Sequence, residues 1–269
     1  CRQAGIPLRL AQARENPYRL LTDWVPETDL DGRTQRHEVR RQLDLVAAVG
    51  FAASDARLRF HVDDRDVVGM RAALAAAGAA TRARYFVVHP GATAPSRRYP
   101  AERFGRAAAR LAARIGAQPV FAGGDADAAF VAAAMRSYAG SAPDGAAPAV
   151  SLAGRLTLGE FAALVAGAAV TLCNNSAPAH IAAAVGCPVV VLYALTNLQH
   201  TPWLARSRVL SHDVDCRGCL RSRCPRADHA CLRKVEPHEV TAAALELVHP
   251  APAAPLAPLA PFPIVGGFA

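Results

Sequence analysis

The stretch AAVTLCNNSAPAHIAAAVGCPVVVLY, Ala168–Tyr193, decides the fold. Its two apolar ends predict buried strands, and the polar turn and alanine-rich segment between them predict a short helix, which makes one unit of a parallel α/β sheet. The turn lies at the carboxyl end of its strand, where open α/β sheets bind ligands. Ser176 is placed to cap the helix, and the free N–H groups of the first turn favour an anion such as phosphate. The alternative is an ordinary capped helix.

Strand-like and helix-like segments alternate on the amino-terminal side of this unit. Strands that alternate with helices of ten or so residues predict βαβ units and a doubly wound parallel sheet. The predicted strands are Tyr85–His89, Pro119–Ala122, Ala149–Leu152, Val170–Cys173 and Pro188–Tyr193, and the predicted helices are Ala101–Ile115, Ala126–Tyr138, Leu158–Ala166 and Ala177–Val185.

The first 80 residues are less regular. We predict strands at Pro7–Ala11 and Leu58–Val62, and helices at Gln35–Val49 and Asp63–Ala79. A complete Rossmann-like domain needs at least about 100 residues to bury a core. We therefore expect a partial N-terminal domain at residues 1–80 and a complete domain at residues 81–248. Alanine and proline dominate residues 249–269, which predicts a mobile, partly extended tail.

Composition and charge limit the class of protein. The 269 residues are 52% hydrophobic and the formal net charge is +8, while the mean hydropathy is +0.14 and the pI is about 9.5. No window offers the roughly 20 apolar residues of a membrane span, and no secretory leader is visible, so we expect a cytoplasmic protein with reduced thiols. The positive charge favours an acidic partner, whether a phosphate ligand, an anionic lipid head group or nucleic acid.

The loop His89–Pro100 leaves one buried strand and enters a helix. Thr93 and Ser96 offer hydroxyls, and Arg97, next to Arg98, adds a fixed positive charge, a combination that suits a diphosphate. The alternative is a flexible surface loop with solvated arginines.

Two further loops also end predicted strands. Asp125 closes the first, where it either caps the next helix or accepts hydrogen bonds from a ribose or base. Asn174 to Ser176 form the second, and His180 follows one helical turn later, either as a ligand contact or as a packed side chain. Three such loops at consecutive strand ends favour a phosphate-bearing ligand, because sites in these sheets draw on several loops at once.

Four of the seven cysteines fall within one short segment: Cys216, Cys219, Cys224 and Cys231. Four thiols are the ligand number of structural zinc, although the spacing differs from the paired C-x2-C motifs of a zinc ribbon. The competing interpretation is a set of reduced thiols that pack a loop. A zinc-finger nucleic-acid module fits less well, because the preceding chain predicts an enzyme-like sheet.

Taken together, these motifs resemble glycosyltransferase family 9, the lipopolysaccharide heptosyltransferases. The resemblance covers roughly residues 1–248, and the combined order of the motifs is more specific than any one of them. The matching pieces are RENPYRLLTDWVP, HEVRRQLDLVAAVGF, HPGATAPSRRYPAERF, FAGGD, SLAGRLTLGEFAALVAGA, CNNSAPAHIAAAVGCPVVVLY and CRGCLRSRCPRADHACL.

The resemblance implies a GT-B architecture, in which two Rossmann-like domains face a cleft and the second holds most of the nucleotide-sugar. It implies that Thr93, Ser96 and Arg97 contact the donor diphosphate and sugar. It further implies that Asp125 meets the nucleoside and that Leu156 lines the adenine pocket. The phosphates and ribose would be held at the helix start by Asn175, Ser176, Ala177 and His180.

The sequence departs from the family pattern at a few of these positions. The family usually has Asp-Ser/Thr-Gly where this chain has Asn175-Ser176-Ala177, and often Lys at the position of Arg97. Asn175 keeps an acceptor oxygen without the charge, and Ala177 lacks the backbone freedom of glycine.

The chemistry that the resemblance implies needs no metal at the reacting centre. A cationic loop and a helix dipole stabilise the departing nucleoside diphosphate, and a carboxylate deprotonates the acceptor hydroxyl. In the family this base is an Asp near the start of the first domain, and no residue here corresponds to it. Because the chain opens with Cys1 and its front portion is short, we expect the first part of the N-terminal domain, including this base, to lie upstream of residue 1.

The leading functional prediction is transfer of heptose from an ADP-heptose donor to a lipopolysaccharide inner-core acceptor. The basic charge of the protein suits a phosphorylated, membrane-held acceptor, which predicts peripheral contact with the inner leaflet. We expect no nucleic-acid partner. One alternative is a sugar-nucleotide epimerase of GT-B fold, which needs acid/base carboxylates in the cleft. Another is a non-catalytic nucleotide-binding module stabilised by zinc.

Overall fold

The computed structural model describes residues 1–12, 20–25, 36–80, 83–197 and 199–249. These residues form a two-stranded parallel sheet near the N-terminus and a six-stranded parallel sheet in the rest of the chain. Apart from His249, the predicted tail lies outside the described residues, as does Gln35 at the start of one predicted helix. No helix in the described part is long and apolar enough to cross a membrane.

The front portion contains β1 (Leu10–Gln12), β2 (Asp23–Val25), α1 (Glu38–Ala47) and α2 (Asp64–Ala76). The two predicted helices are confirmed with shorter bounds, and the first predicted strand is shifted towards the C-terminus. The predicted strand Leu58–Val62 is wrong, because this segment pairs with no strand in the described chain. Its apolar side chains pack instead against the core beside α2.

The strands of the six-stranded sheet are β3 (Tyr85–His89), β4 (Gln118–Phe121), β5 (Val150–Ser151), β6 (Thr171–Asn174), β7 (Val189–Leu192) and β8 (Ser207–Leu210). Their order is β5-β4-β3-β6-β7-β8, and every pair of neighbours is parallel. The strand order reverses between β3 and β6, which makes this pair the topological switch point of a doubly wound sheet.

Helices cover both faces of this sheet. They are α3 (Ala101–Ile115), α4 (Ala128–Ala139), α5 (Leu158–Ala166), α6 (Ala177–Val185), α7 (Ala230–Arg233) and α8 (Pro237–Val248), in addition to α2. Three of them, α3, α5 and α6, have the predicted bounds, whereas α4 begins two residues later than predicted because the 3-10 turn Asp125–Asp127 precedes it.

Side chains of the central strands alternate between two cores. Phe86 and Leu172 point into the layer of α3, α4 and α8, while Val87 and Cys173 point into the layer of α2, α5 and α6. Each of these side chains is fully buried. Fully burying a leucine or phenylalanine contributes about 1.5–3 kcal/mol, so this double-sided burial explains why the strands read as continuous apolar runs.

Three elements near the C-terminus were not predicted: β8, the single-turn helix α7 and the helix α8. β8 is an edge strand with the sequence Ser-Arg-Val-Leu and only partial burial, so it carries no apolar run. The helix α8 does carry a signal, because Pro237 stands at its first position and the Glu239 carboxylate accepts from the amide of Glu236, as in a capping box.

The close approach of α3 and α4 depends on Gly105. A Cβ at this position would collide with the carbonyl oxygen of Ala134 and would lie 2.8 Å from the amide nitrogen of Tyr138. We expect Gly105→Ala to lower the free energy of unfolding by about 1–3 kcal/mol, although alanine is the better helix former. Urea denaturation followed by circular dichroism measures this change.

Gly140→Ala is the matched control at the end of α4. Gly140 has a φ of −79°, and an added Cβ would meet the carbonyl oxygen of Arg136 at 3.6 Å, an ordinary contact. This variant should be neutral or more stable by up to about 1 kcal/mol. Equal effects of the two substitutions would contradict the packing argument.

Candidate functional site

The switch point opens between the carboxyl ends of β3 and β6. His89 ends β3 and pairs in register with Cys173, the residue before Asn174 at the end of β6. The predicted phosphate loop follows His89, and the predicted Asn-Asn-Ser turn follows Cys173. The sheet topology therefore brings two of the three predicted loops to one crevice.

Asn174 joins these two loops. Its side chain is fully buried; Nδ2 donates to the carbonyl oxygen of Pro90 at 2.8 Å, and Oδ1 accepts from the amide of Tyr99 at 2.9 Å. A second carbonyl oxygen, of Gly91, lies 3.3 Å from Nδ2. The amide thus fixes both ends of the loop that follows β3, and the loop reaches the crevice already ordered.

A histidine–carboxylate pair lies beneath the crevice. His89 Nε2 is 3.7 Å from Asp127 Oδ2, and the His89 ring meets Phe161 edge-on with centroids 5.7 Å apart. Burial lowers the pKa of His89, while the charge of Asp127 acts in the opposite direction. The backbone of Gly91 approaches the Asp127 carboxylate so closely that a Cβ there would collide with it.

A cleft of about 270 Å³ adjoins this pair. Leu156, Phe161 and Ile181 supply apolar walls, and Gly123 and Gly124 leave the backbone accessible on another side. An apolar slot with a few polar groups at its edge suits the flat ring of a nucleobase. The structure thus places Leu156 in a pocket at the switch point, beside the start of α6.

The start of α6 is not capped in the predicted way. Ser176 is the N-cap residue, but its side chain makes no capping hydrogen bond, and its hydroxyl donates at 3.4 Å to the carbonyl oxygen of Asn174 instead. Within the described chain, no group accepts from the amides of Ser176 and Ala177. These free N–H groups and the helix dipole favour an anion at this end of the helix.

Ala177 fits this position without the freedom of glycine. It is the first residue of α6 and is therefore in helical conformation. Its φ is not among the positive values of the described residues. The departure from the family pattern at residue 177 therefore introduces no backbone strain.

The loop after β3 presents one arginine and folds the other inward. Arg98 donates from Nε to the carbonyl oxygen of Ala92 at 2.6 Å and from Nη2 to that of Thr93 at 3.0 Å, and it lies over the ring of Phe130. Arg97 forms no ion pair with any described residue. Its charge contributes to a lowered pKa of His200, although burial is the larger cause. Arg97 is thus the loop's available cation, and the Thr93 side chain is exposed beside it.

Ser96 connects this loop to the cysteine-rich segment. Its buried hydroxyl donates to the carbonyl oxygen of Arg221 at 2.7 Å, and its amide donates to that of Ser222 at 3.0 Å. His229 Nε2 lies 2.9 Å from the carbonyl oxygen of Ser96. The Ser96 hydroxyl therefore keeps only acceptor capacity for a ligand, and residues 221–229 hold the loop from behind.

Asp125 and His180 lie on different sides of the crevice. Asp125 is exposed and its carboxylate accepts no hydrogen bond from a described residue; Asp127 performs the capping, accepting from the amide of Gly124 at 3.1 Å. His180 is partly buried, and burial lowers its pKa, assisted by the charges of His200 and His37. Both side chains keep free polar atoms.

The four clustered cysteines are free thiols. In the described residues, no group of three or more His, Cys, Asp or Glu side chains comes close enough to hold a metal ion. Burial raises the pKa of the Cys231 thiol, and the charges of Cys224, Cys216 and Cys219 act in the same direction. Backbone hydrogen bonds from Gly218 to Leu195 and from Leu220 to Thr196 anchor the segment.

Among the residues that organise the site, Asn174 was predicted only as part of a polar loop, and no role was predicted for His89, Asp127 or Tyr193. Asn174, His89 and Asp127 carry the loop contacts described above, and Tyr193 Oη donates to the carbonyl oxygen of Asn197 at 2.5 Å. The signal for the first two was available, because a polar residue that ends an apolar strand at a switch point faces the ligand crevice. The signal for Asp127 was weaker, since Asp125 occupies an equally plausible position.

Comparisons with known proteins identify the family and the fold of the chain. The family description "Glycosyltransferase family 9 (heptosyltransferase)" matches residues 4–229. The chain therefore belongs to glycosyltransferase family 9. A curated relative, lipooligosaccharide heptosyltransferase 2 of Campylobacter jejuni, is 30% identical over 77 residues, which are 28% of this chain and 24% of that protein.

Two solved structures share the fold. A family 9 glycosyl transferase from Veillonella parvula superposes with a TM-score of 0.68 at 21% identity, over 90% of this chain and 67% of that one. The ADP-heptose lps heptosyltransferase II of E. coli superposes with a TM-score of 0.64 at 22% identity, over 91% and 71%. The predicted α/β fold of GT-B type is confirmed, and the chain spans about two thirds of each of these structures.

Replacing Asn174 tests whether its amide organises the crevice. Asn174→Ala leaves the amide of Tyr99 and the carbonyl oxygen of Pro90 buried without partners, so we expect the free energy of unfolding to fall by about 2–4 kcal/mol. Chemical denaturation measures the loss. Ser176→Ala is the control, because its long hydrogen bond predicts less than about 0.5 kcal/mol, below the usual cost of an N-cap serine. A larger loss at Ser176 than at Asn174 would refute this account.

Proposed function

We propose that the crevice binds an ADP-sugar and that the protein transfers heptose from ADP-heptose to a lipopolysaccharide inner-core acceptor. One observation carries the proposal: the start of α6, where no described group accepts from the amides of Ser176 and Ala177, lies beside an apolar cleft, and the loop that carries Arg97 ends at the same switch point. An apolar slot next to an anion site has the chemistry of a nucleoside diphosphate. The printed names of the curated relative and of the E. coli structure support heptose as the sugar.

The donor groups are assigned to the residues by chemistry. The adenine ring takes the slot beside Leu156, and the exposed carboxylate of Asp125 accepts from the ribose hydroxyls. The diphosphate takes the amides at the start of α6 and the guanidinium of Arg97, which can bind it in a bidentate manner. The remaining predicted contacts with the phosphates, ribose and sugar are those of Thr93, Ser96, Asn175 and His180.

The proposed reaction is a displacement at the anomeric carbon of the sugar. The bond from this carbon to the diphosphate oxygen breaks, and its electron pair leaves with ADP. The acceptor oxygen forms the new bond, and its proton passes to a carboxylate base. Within this chain, Arg97 and the dipole of α6 stabilise the negative charge that develops on the departing diphosphate.

The proposal also covers the predictions on cofactors, on location in the cell and on partners. The transfer needs no metal cofactor, and structural zinc at Cys216, Cys219, Cys224 and Cys231 stays a prediction that metal analysis of the purified protein tests. We further propose that the enzyme acts in the cytoplasm, in peripheral contact with the inner membrane that holds the acceptor, and that nucleic acid is not a partner.

Arg97→Ala tests the assignment of the diphosphate. We expect the affinity for ADP, measured by titration calorimetry, to fall about tenfold to a hundredfold, because a hydrogen bond to a charged group contributes about 1.5–3 kcal/mol. Arg97→Lys keeps the charge and should lose less. Arg136→Ala, on α4 away from the crevice, is the control and should bind as the unchanged protein does. Unaltered affinity in Arg97→Ala would remove this loop from the donor site.

The whole activity is tested with the full-length protein that includes the expected carboxylate base, together with ADP-heptose and a heptose-deficient lipopolysaccharide core. Mass spectrometry should show an acceptor heavier by one heptose unit, together with one equivalent of free ADP. Isomerised ADP-heptose without transfer would favour the epimerase instead. ADP binding with neither change would favour the nucleotide-binding module.

A further inference from the structure

A row of arginines follows the exposed side of α3, away from the crevice. Arg106, Arg110 and Arg114 are spaced four residues apart, so they share one helix face over about 12 Å. All three are exposed, and none forms an ion pair or hydrogen bond with a residue that the structure describes. Like charges at this spacing repel one another, so the row is not explained by the stability of the helix.

The row forms one wall of a groove of about 530 Å³. The opposite wall is α8, with His238 and Leu245, and the loop after α4 closes one end with Ser141. The hydroxyl of Thr241 on α8 lies 3.2 Å from the carbonyl oxygen of Ala107 on α3 and 3.0 Å from that of Pro237 in its own helix, so α8 packs directly against α3. The described lining residues include no aspartate or glutamate, so the positive charge of the groove is uncompensated.

Some exposed arginines elsewhere in the described chain have carboxylate partners, whereas others, such as Arg71 and Arg155, stand singly without one. Arg57 and Arg59 both pair with Asp55, at 3.1 and 2.7 Å, and Arg65 pairs with Asp63 at 2.8 Å. If the arginine-rich composition alone accounted for these residues, paired and unpaired arginines would be scattered over the surface. The groove instead gathers three unpaired ones on one concave surface.

We propose that this groove binds the phosphate head groups of an anionic lipid bilayer. Guanidinium groups bind phosphate oxygens in a bidentate manner, and a polybasic surface is drawn to anionic lipid. The described lining contains no Phe, Tyr or Trp, and its one imidazole, of His238, is a single small ring, which disfavours the successive base stacking of single-stranded nucleic acid. It also contains none of the large exposed hydrophobic side chains, so the contact is electrostatic and does not insert into the bilayer.

The location of the groove leaves the crevice accessible. α3 begins next to the loop of the candidate site, and Arg114 lies about 20 Å further along the helix axis. A bilayer on the α3–α8 face therefore does not cover the start of α6. The inference rests on the proposed function in one respect, because a membrane-held acceptor gives the contact its purpose.

The test measures vesicle binding by the full 269-residue chain, without donor or acceptor. Vesicles of phosphatidylcholine are compared with vesicles in which a third of the lipid is phosphatidylglycerol. We expect binding to the anionic vesicles only, with loss of binding as salt is added. The variant R106Q/R110Q/R114Q should bind about a hundredfold more weakly.

The control variant R57Q/R59Q/R65Q removes the same charge from paired arginines and should bind within about fivefold of the unchanged protein. Equal weakening of the two variants, full binding by R106Q/R110Q/R114Q, or no binding of anionic vesicles by the unchanged protein would each overturn the proposal. Circular dichroism verifies folding, and R110Q/R114Q replaces the triple variant if that one does not fold.

One further variant separates this proposal from the proposed function. Arg97→Ala should lose affinity for ADP while it retains vesicle binding. If the vesicle experiment fails and transfer is observed, only the membrane surface is rejected. If transfer fails and R106Q/R110Q/R114Q still loses vesicle binding, only the catalytic proposal is rejected.

Discussion

The side-chain amide of Asn174 is the contact on which the candidate site depends. The loop after β3 ends its strand with carbonyl oxygens that point into the protein, where an unsatisfied polar group costs about 1–3 kcal/mol. A carboxylate could not donate to Pro90, and an ammonium could not accept from Tyr99, so an amide meets both needs with one side chain. Because the loop is fixed at both ends, Arg97 extends from an ordered backbone. Ligand binding therefore does not carry the free-energy cost of ordering this loop.

The sequence predicted those parts of the fold that depend on burial alone. The central strands are buried on both faces, so their apolar runs were visible, and α3, α5 and α6 had the predicted bounds. The edge strand β8 escaped prediction because one side of it is exposed. The segment Leu58–Val62 was misinterpreted for the opposite reason: its apolar residues pack against a helix layer, and alternation does not distinguish that packing from sheet pairing.

The site shows a different limit of the sequence. Residue types and loop positions predicted which segments meet, but not which side chain faces the ligand and which faces the protein. Ser96 and Arg98 have the chemistry of phosphate ligands, yet one is bonded to the cysteine-rich segment and the other to its own loop. Ser176 has the chemistry of a cap and leaves the helix amides free. These outcomes depend on contacts with segments distant in the chain, which local patterns do not contain.

The distribution of charge carries more information than its total. A net charge of +8 is compatible with many acidic partners, and most exposed arginines with a neighbouring carboxylate are already neutralised locally. Several exposed arginines have no carboxylate partner among the described residues, so the surface around each one distinguishes them. Arg97 lies in the loop at the switch point, where the proposed ligand is a small nucleotide. The α3 row lies on a broad groove without Phe, Tyr or Trp, where the proposed ligand is an extended anionic surface. On these two proposals, the shape of the surface around each cation separates two kinds of phosphate recognition.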